Sequence, residues 1–151
     1  MSVLSAGGFT LVELLITISI ILTICAIATP NFLAAIEQAK IARAVGDIQT
    51  IGIEIQAYEI SSGEYPDTLG DVGYGERLDP WGNPYQYLNF ADTNGNGAQR
   101  KDRFLVPINT YFDLYSMGKD GQSTSPLTAQ ASRDDIIFAN DGSYIGPASQ
   151  Y

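Results

Sequence analysis

The chain has 151 residues, with 17 Asp and Glu against 8 Lys and Arg, which gives a net charge of −9 and a sequence pI near 4.2. A surface this acidic argues against nucleic acid as a partner. The sequence has no histidine and one cysteine, which excludes a histidine-based catalytic triad, a His-ligated zinc site and an intramolecular disulfide.

An apolar run of 21 residues, 9–29, contains a single charge, Glu13. As an α-helix rising 1.5 Å per residue it would span about 31 Å, which matches the hydrocarbon core of a bilayer. A carboxylate inside such a segment is costly in lipid, so some group must compensate Glu13. The run therefore predicts a membrane helix with a functional carboxylate near its start.

The residues around Glu13 form an ordered motif, Gly8-Phe9-Thr10-Leu11-Val12-Glu13. It resembles the cleavage and methylation site of type IV prepilins and type II secretion pseudopilins, and Pro30 falls where that family often carries a helix-interrupting proline. The resemblance implies that residues 1–8 are a leader and that a prepilin peptidase cuts between Gly8 and Phe9. It also implies that the new amino group of Phe9 is methylated.

The same resemblance implies that Glu13 pairs with the Phe9 amine of a neighbouring subunit as a filament assembles. Phe9, Glu13 and Pro30 are therefore the expected assembly residues. The alternative is that Glu13 lies near the lipid headgroups and reaches them without any partner subunit.

The segment after Pro30 is amphipathic. Its core-facing positions recur every three or four residues, at Ile41, Val45, Ile48, Gly52, Ile55 and Tyr58. We therefore expect one helix from residue 9 to about residue 61, about 80 Å long and disturbed at Pro30. Residues 9–30 would be the transmembrane and assembly helix and residues 31–62 its amphipathic half, with Gly63 suited to the helix end.

Residues 63–151 are expected to form a globular head. Strand patterns occur at residues 85–88, 104–106 and 111–116, and residues 136–138 indicate a short C-terminal element. The predicted fold class is α+β, with the long N-terminal helix packed on a small antiparallel β-sheet.

Two segments of the head extend the resemblance: Asp79-Pro80-Trp81-Gly82-Asn83-Pro84-Tyr85 and Asp113-Leu114-Tyr115-Ser116-Met117-Gly118-Lys119-Asp120-Gly121. They are similar to stretches of the major pseudopilin of type II secretion, so the likeness reaches from residue 7 to about residue 121. It implies a structural filament subunit. The alternatives are the major pilin of a surface type IV pilus and, more distantly, a membrane-tethered binding domain or enzyme. No grouping of a nucleophile with a base supports an enzyme.

The resemblance also implies partners and a location. Before assembly the subunit would be a single-pass protein of the inner membrane with its head in the periplasm. It would then join a helical homo-oligomeric filament, periplasmic or extracellular. The expected partners are further copies of the chain, the prepilin peptidase and an inner-membrane assembly platform.

One polar segment, residues 92–97, resembles the first half of an EF-hand calcium loop. Position twelve of such a loop would be Arg103, where a bidentate Glu is required. We therefore interpret the segment as an Asn-Gly-rich hairpin.

The C-terminal loop is the second candidate for a metal. Its aspartates flank a Ser/Thr-rich segment, and Asp-rich loops usually supply turns and caps. In the related pseudopilin this loop binds calcium, so the resemblance implies a site here that would close the loop. Calcium takes six to eight oxygen ligands and needs no histidine. The expected ligands are the carboxylates of Asp120, Asp134 and Asp135, the carbonyl of Met117, and an oxygen of Ser123 or Ser125.

Overall fold

The structure is a computed structural model that describes residues 8–151, so the expected leader lies outside the described residues except for Gly8. The chain divides into two compact units, Met1–Gln38 and Ala39–Tyr151. Helix α1 (Leu11–Ser62) contributes to both units, and the disturbance expected at Pro30 does not interrupt it. Its end is confirmed at Gly63, which has a φ of 87° and whose N–H donates to the Glu59 carbonyl at 2.8 Å.

In the first unit, α1 presents apolar side chains on all sides. Its most apolar stretch has a mean hydropathy of 2.6, and by length and composition it is able to cross a membrane. The hydroxyls within this stretch bond to carbonyls of their own helix one turn earlier. These hydroxyls belong to Thr17, Ser19, Thr23 and Thr29, and their oxygens lie 2.7–2.8 Å from the accepting carbonyl oxygens. The polar side chains are thus satisfied inside the helix, as an apolar environment requires.

In the second unit, one face of α1 is buried. The buried residues are Ala44, Ile48, Ile51, Gly52 and Ile55, spaced by one, three or four. The amphipathic pattern after Pro30 predicted this face, and the structure confirms it.

A four-stranded antiparallel sheet faces that helix surface. Its strands are β1 (Gln86–Asn89), β2 (Phe112–Ser116), β3 (Ile136–Ala139) and β4 (Tyr144–Pro147), paired in sequence order. The α+β class is confirmed, as are the strands expected near residues 85–88, 111–116 and 136–138. The sequence pattern did not reveal β4.

Both faces of the sheet are covered. Alternate residues of β3 point to opposite sides, so Ile136 and Phe138 join the cluster that contains the helix face. Ile137 and Ala139 join a second cluster with Leu127 from the C-terminal loop. That loop is therefore part of the packed head.

Residues 104–106 are not a strand, contrary to the expectation. The N–H of Asp102 donates to the Leu105 carbonyl at 3.0 Å and the N–H of Leu105 donates back at 2.6 Å, which closes a tight turn. Phe104 lies at this turn with its side chain fully exposed. The strand preference of Phe-Leu-Val is overridden because the segment pairs with itself and no neighbouring strand adjoins it.

The expected Asn-Gly hairpin is also wrong. Strands β1 and β2 do pair with each other, but the connection between them runs over residues 90–111. It begins with a short 3₁₀ helix at Phe90–Asp92, and Gly95 lies in a later turn with a φ of 87°. A long connection, and not a two-residue turn, joins the strands.

Candidate functional site

The N-terminus of α1 is closed by Thr10 and Glu13, which cap each other. The backbone N–H and the hydroxyl of Thr10 donate to Glu13 Oε2 at 2.9 and 2.8 Å, and the N–H of Glu13 donates to Thr10 Oγ1 at 3.2 Å. This is a capping box, and its T-x-x-E spacing is readable in the sequence. It orients an exposed carboxylate beside the expected cleavage point.

Phe9 and Pro30, the other expected assembly residues, are exposed. The partner proposed for Glu13 belongs to a second chain, so its pairing with a neighbouring Phe9 amine stays a prediction.

The two head segments that extended the family resemblance contact each other through Asp79. Asp79 is buried, and its Oδ1 accepts from the N–H groups of Trp81 at 3.0 Å and Asn83 at 2.9 Å. Its Oδ2 accepts from the Ser116 hydroxyl at 2.5 Å. The Asn83 amide donates to the Gly118 carbonyl at 2.9 Å. The two motifs are therefore the two halves of one hydrogen-bonded junction.

Of the expected calcium ligands, Asp120 and Asp134 lie close together. Asp134 Oδ2 accepts from the N–H of Asp120 at 2.9 Å, and Asp120 Oδ1 accepts from the N–H of Gln122 at 2.8 Å. These are the bonds of turn-forming aspartates. Met117 is half-buried nearby in the chain, and the Ser125 hydroxyl contacts the Gly97 carbonyl at 3.5 Å.

Asp135 and Ser123 belong to a different arrangement, centred on Arg100. The Ser123 hydroxyl donates to Asp135 Oδ2 at 2.5 Å. The Arg100 guanidinium donates to that same oxygen and to the Ser123 hydroxyl, and also to the Thr124 carbonyl at 2.8 Å. Asp135 is completely buried and Arg100 is 3% exposed, so this is an interior ion pair.

Further groups complete the surroundings of Arg100. Its guanidinium carbon lies 4.1 Å from the centre of the Tyr115 ring, a cation–π contact. Its backbone N–H donates to Asp113 Oδ2 at 2.6 Å. Burial raises the pKa of Asp135, against the opposing effects of the Ser123 hydroxyl and of Arg100, while the charge of Asp134 raises it further. Burial also raises the pKa of Asp113.

The six expected ligands do not form one calcium shell in this arrangement. Asp135 and Ser123 are engaged by a guanidinium, whose positive charge disfavours a divalent cation beside it. Within residues 8–151, no three acidic or cysteine side chains come together as a metal site. Sequence reasoning missed Arg100 because it lies 35 residues from Asp135 and no local motif marks it.

Comparison with known proteins gives a consistent family. Type II secretion system core protein G of Pseudomonas aeruginosa is 32% identical over 77% of this chain and 85% of its own length. The proteins of the same name from Aeromonas hydrophila and Vibrio cholerae are 30% and 28% identical, over 85% and 82% of their lengths. The chain belongs to the type II secretion core protein G family.

This membership confirms the expected family, the major pseudopilins, and the function expected from it: the protein is a filament subunit of type II secretion. The apolar half of α1 fits membrane anchoring before assembly. No family model matches the chain. No solved structure matches it either.

Proposed function

We propose that this pseudopilin is anchored in the inner membrane by the apolar half of α1, with its head in the periplasm, and then polymerises with copies of itself into a helical pseudopilus. Its role would be structural, without catalysis. In the pseudopilus it would form a periplasmic piston that pushes folded proteins through an outer-membrane channel. The assembly platform of the inner membrane would take the subunit from the lipid.

Processing comes first in this proposal. The prepilin peptidase cuts between Gly8 and Phe9 and methylates the new amine. Phe9 is exposed, and α1 begins only at Leu11, so the cleavage point precedes the helix. Cleavage would therefore leave the helix and its capping box intact.

Glu13 is the observation that carries the assembly proposal. It is the only charge in residues 9–29, it is exposed, and Thr10 holds its carboxylate at the helix start. An amine from a neighbouring Phe9 would neutralise it at one axial offset between subunits. Glu13 would thus set the register of the filament as well as stabilise it.

Glu13 has two separable roles, since it carries the charge proposed for assembly and it accepts hydrogen bonds in the helix cap. The capping box therefore supplies the matched control. Glu13→Gln removes the charge but keeps an acceptor for the Thr10 N–H. Thr10→Ala removes the hydroxyl of the box but keeps the charge. We expect Glu13→Gln to insert into membranes normally and to assemble poorly, and Thr10→Ala to assemble well.

Assembly is measured by electron microscopy of pseudopili from cells overproducing each variant, with membrane fractionation as the check on insertion. Normal pseudopili from Glu13→Gln would show that the charge does not drive assembly. An equal loss of pseudopili in Glu13→Gln and Thr10→Ala would show that assembly requires the helix cap and not the charge.

A further inference from the structure

A buried cation, Arg100 from the connection between β1 and β2, binds the C-terminal loop. Its guanidinium donates to the hydroxyl of Ser123 and the carbonyl of Thr124 at one end of the loop, and to the carboxylate of Asp135 at the other. These groups are separated by about ten residues of chain and meet at one side chain. One cation therefore closes the loop.

The backbone next to Arg100 reinforces this closure. The N–H of Lys101 donates to the Ser125 carbonyl at 3.0 Å, and the N–H of Leu127 donates to the Lys101 carbonyl at 2.9 Å. The segment that carries Arg100 therefore runs beside the loop, joined to it by main-chain hydrogen bonds. The guanidinium is held in place by the Tyr115 ring as well as by its acceptors.

A calcium ion at the same place would meet two obstacles. Two acceptors that calcium would use, Asp135 Oδ2 and the Ser123 oxygen, already receive hydrogen bonds from Arg100, and the unpartnered Asp135 Oδ1 belongs to the carboxylate that the guanidinium already neutralises. An arginine cannot lose its charge to make room, so the ion and the guanidinium would repel each other in a site with little water. Asp120 and Asp134, the remaining carboxylates, each accept from one backbone N–H, and within residues 8–151 no third acidic side chain joins them as a metal site.

We propose that the Arg100 guanidinium performs in this protein the closure that calcium was expected to perform, so that the head folds without calcium. A guanidinium fits this role because it is permanently charged and presents several donors in a fixed plane. The stability of the loop is then independent of the calcium concentration around the cell.

Thermal unfolding of the full chain in detergent tests the proposal. Trp81 is the only tryptophan and lies in the head, so its fluorescence reports on the head alone. Melting is followed for the natural chain, Arg100→Met and Arg133→Met, each in chelator and in about 10 mM calcium, above the usual range of extracellular sites. Arg133 is an exposed arginine two residues from Asp135, so its variant controls for the loss of one charge.

We expect the Tm of the natural chain to be the same in calcium and in chelator. Arg100→Met should lower it by about 10 °C or more in both, because a buried carboxylate loses its partner. Arg133→Met should change it by no more than about 2 °C. The Tm of Arg100→Lys should lie between those of the natural chain and Arg100→Met, since an ammonium keeps the charge without the planar donors.

Two results would overturn the proposal. One is a rise of several degrees in the Tm of the natural chain on adding calcium, which is the increase that a folded-state ligand produces. The other is equal melting of Arg100→Met and Arg133→Met. The calcium dependence of the Tm is measured on the natural chain, so it is obtained even where Arg100→Met fails to fold. Replacing both partners, as in Arg100→Met with Asp135→Leu, should then recover part of the lost Tm.

Discussion

The ring of Phe138 lies between two glycines, and this contact makes a sharp test of the packing of α1 on the sheet. A Cβ added at Gly52 would lie 2.8 Å from Cε2 of the ring, and one added at Gly142 would lie 2.9 Å from its Cζ. On a further side the ring stacks on Phe112, with centroids 5.2 Å apart. The ring therefore has little room to move away from an added methyl group.

For Gly52→Ala two effects oppose each other. Replacing glycine within a helix stabilises by about 0.5–1 kcal/mol. Overpacking a filled core costs about 1–3 kcal/mol, and the confined ring places this site in the middle of that range. We therefore expect a net loss of about 1 kcal/mol in the free energy of unfolding.

Gly46 provides the control within the same helix. It is exposed, and an added Cβ would meet nothing within 4 Å, so Gly46→Ala should stabilise by the full helical gain of about 0.5–1 kcal/mol. Unfolding by denaturant, followed through Trp81, measures both variants. Phe138→Leu should reduce the cost of Gly52→Ala, because a smaller side chain leaves room for the methyl group. Equal stabilisation by the two alanines would refute the close packing of α1 on β3.

Three further predictions concern processing, the motif junction and pH. The purified subunit should begin at Phe9 with one methyl on its amine, and mass spectrometry showing residues 1–8 retained would contradict the proposed cleavage. Asp79→Ala should destabilise the head by about 2–3 kcal/mol, measured by denaturant unfolding, because it leaves two partly buried N–H groups and the buried Ser116 hydroxyl without an acceptor. The raised pKa of Asp135 means that the folded state binds its proton more tightly than the unfolded state. The contribution of Asp135 to stability should therefore fall as pH rises above about 4, so over that range the free energy of unfolding of the natural chain should decrease relative to that of Asp135→Asn in the same measurement.

Local pattern was sufficient for the parts of the fold that depend on periodicity. The buried face of α1 follows the three-and-four spacing of residues such as Ile48 and Ile55, and β2 follows a run of strand-forming residues. Strand β4 was missed because Gly146 and Pro147 weaken a strand pattern. The structure accepts Pro147 because β4 lies at the edge of the sheet, where one N–H needs no partner.

The interior ion pair between Arg100 and Asp135 could not be predicted from local sequence pattern. The family resemblance implied a cation at Asp135, namely calcium, while the residues of the loop by themselves indicated only turns and caps. Neither could identify Arg100 as the cation, because Arg100 reaches the site only through the long connection between β1 and β2. The Thr10–Glu13 box differs, since its two members are three residues apart and the T-x-x-E spacing is a signature of a helix start that the sequence analysis did not use.

The apolar half of α1 bears on the proposal that its single charge, Glu13, directs assembly. Its hydroxyls at Thr17, Ser19, Thr23 and Thr29 bond within the helix, so moving this segment from lipid into a filament core would break none of these bonds. Apolar side chains gain little by the same move, because lipid and a protein core are similarly apolar. In the proposed assembly, the environment of Glu13 would change most, from a carboxylate capped by Thr10 to one that also meets a neighbouring amine. In the proposed pseudopilus, the preference for the assembled state therefore depends on Glu13 together with close helix packing.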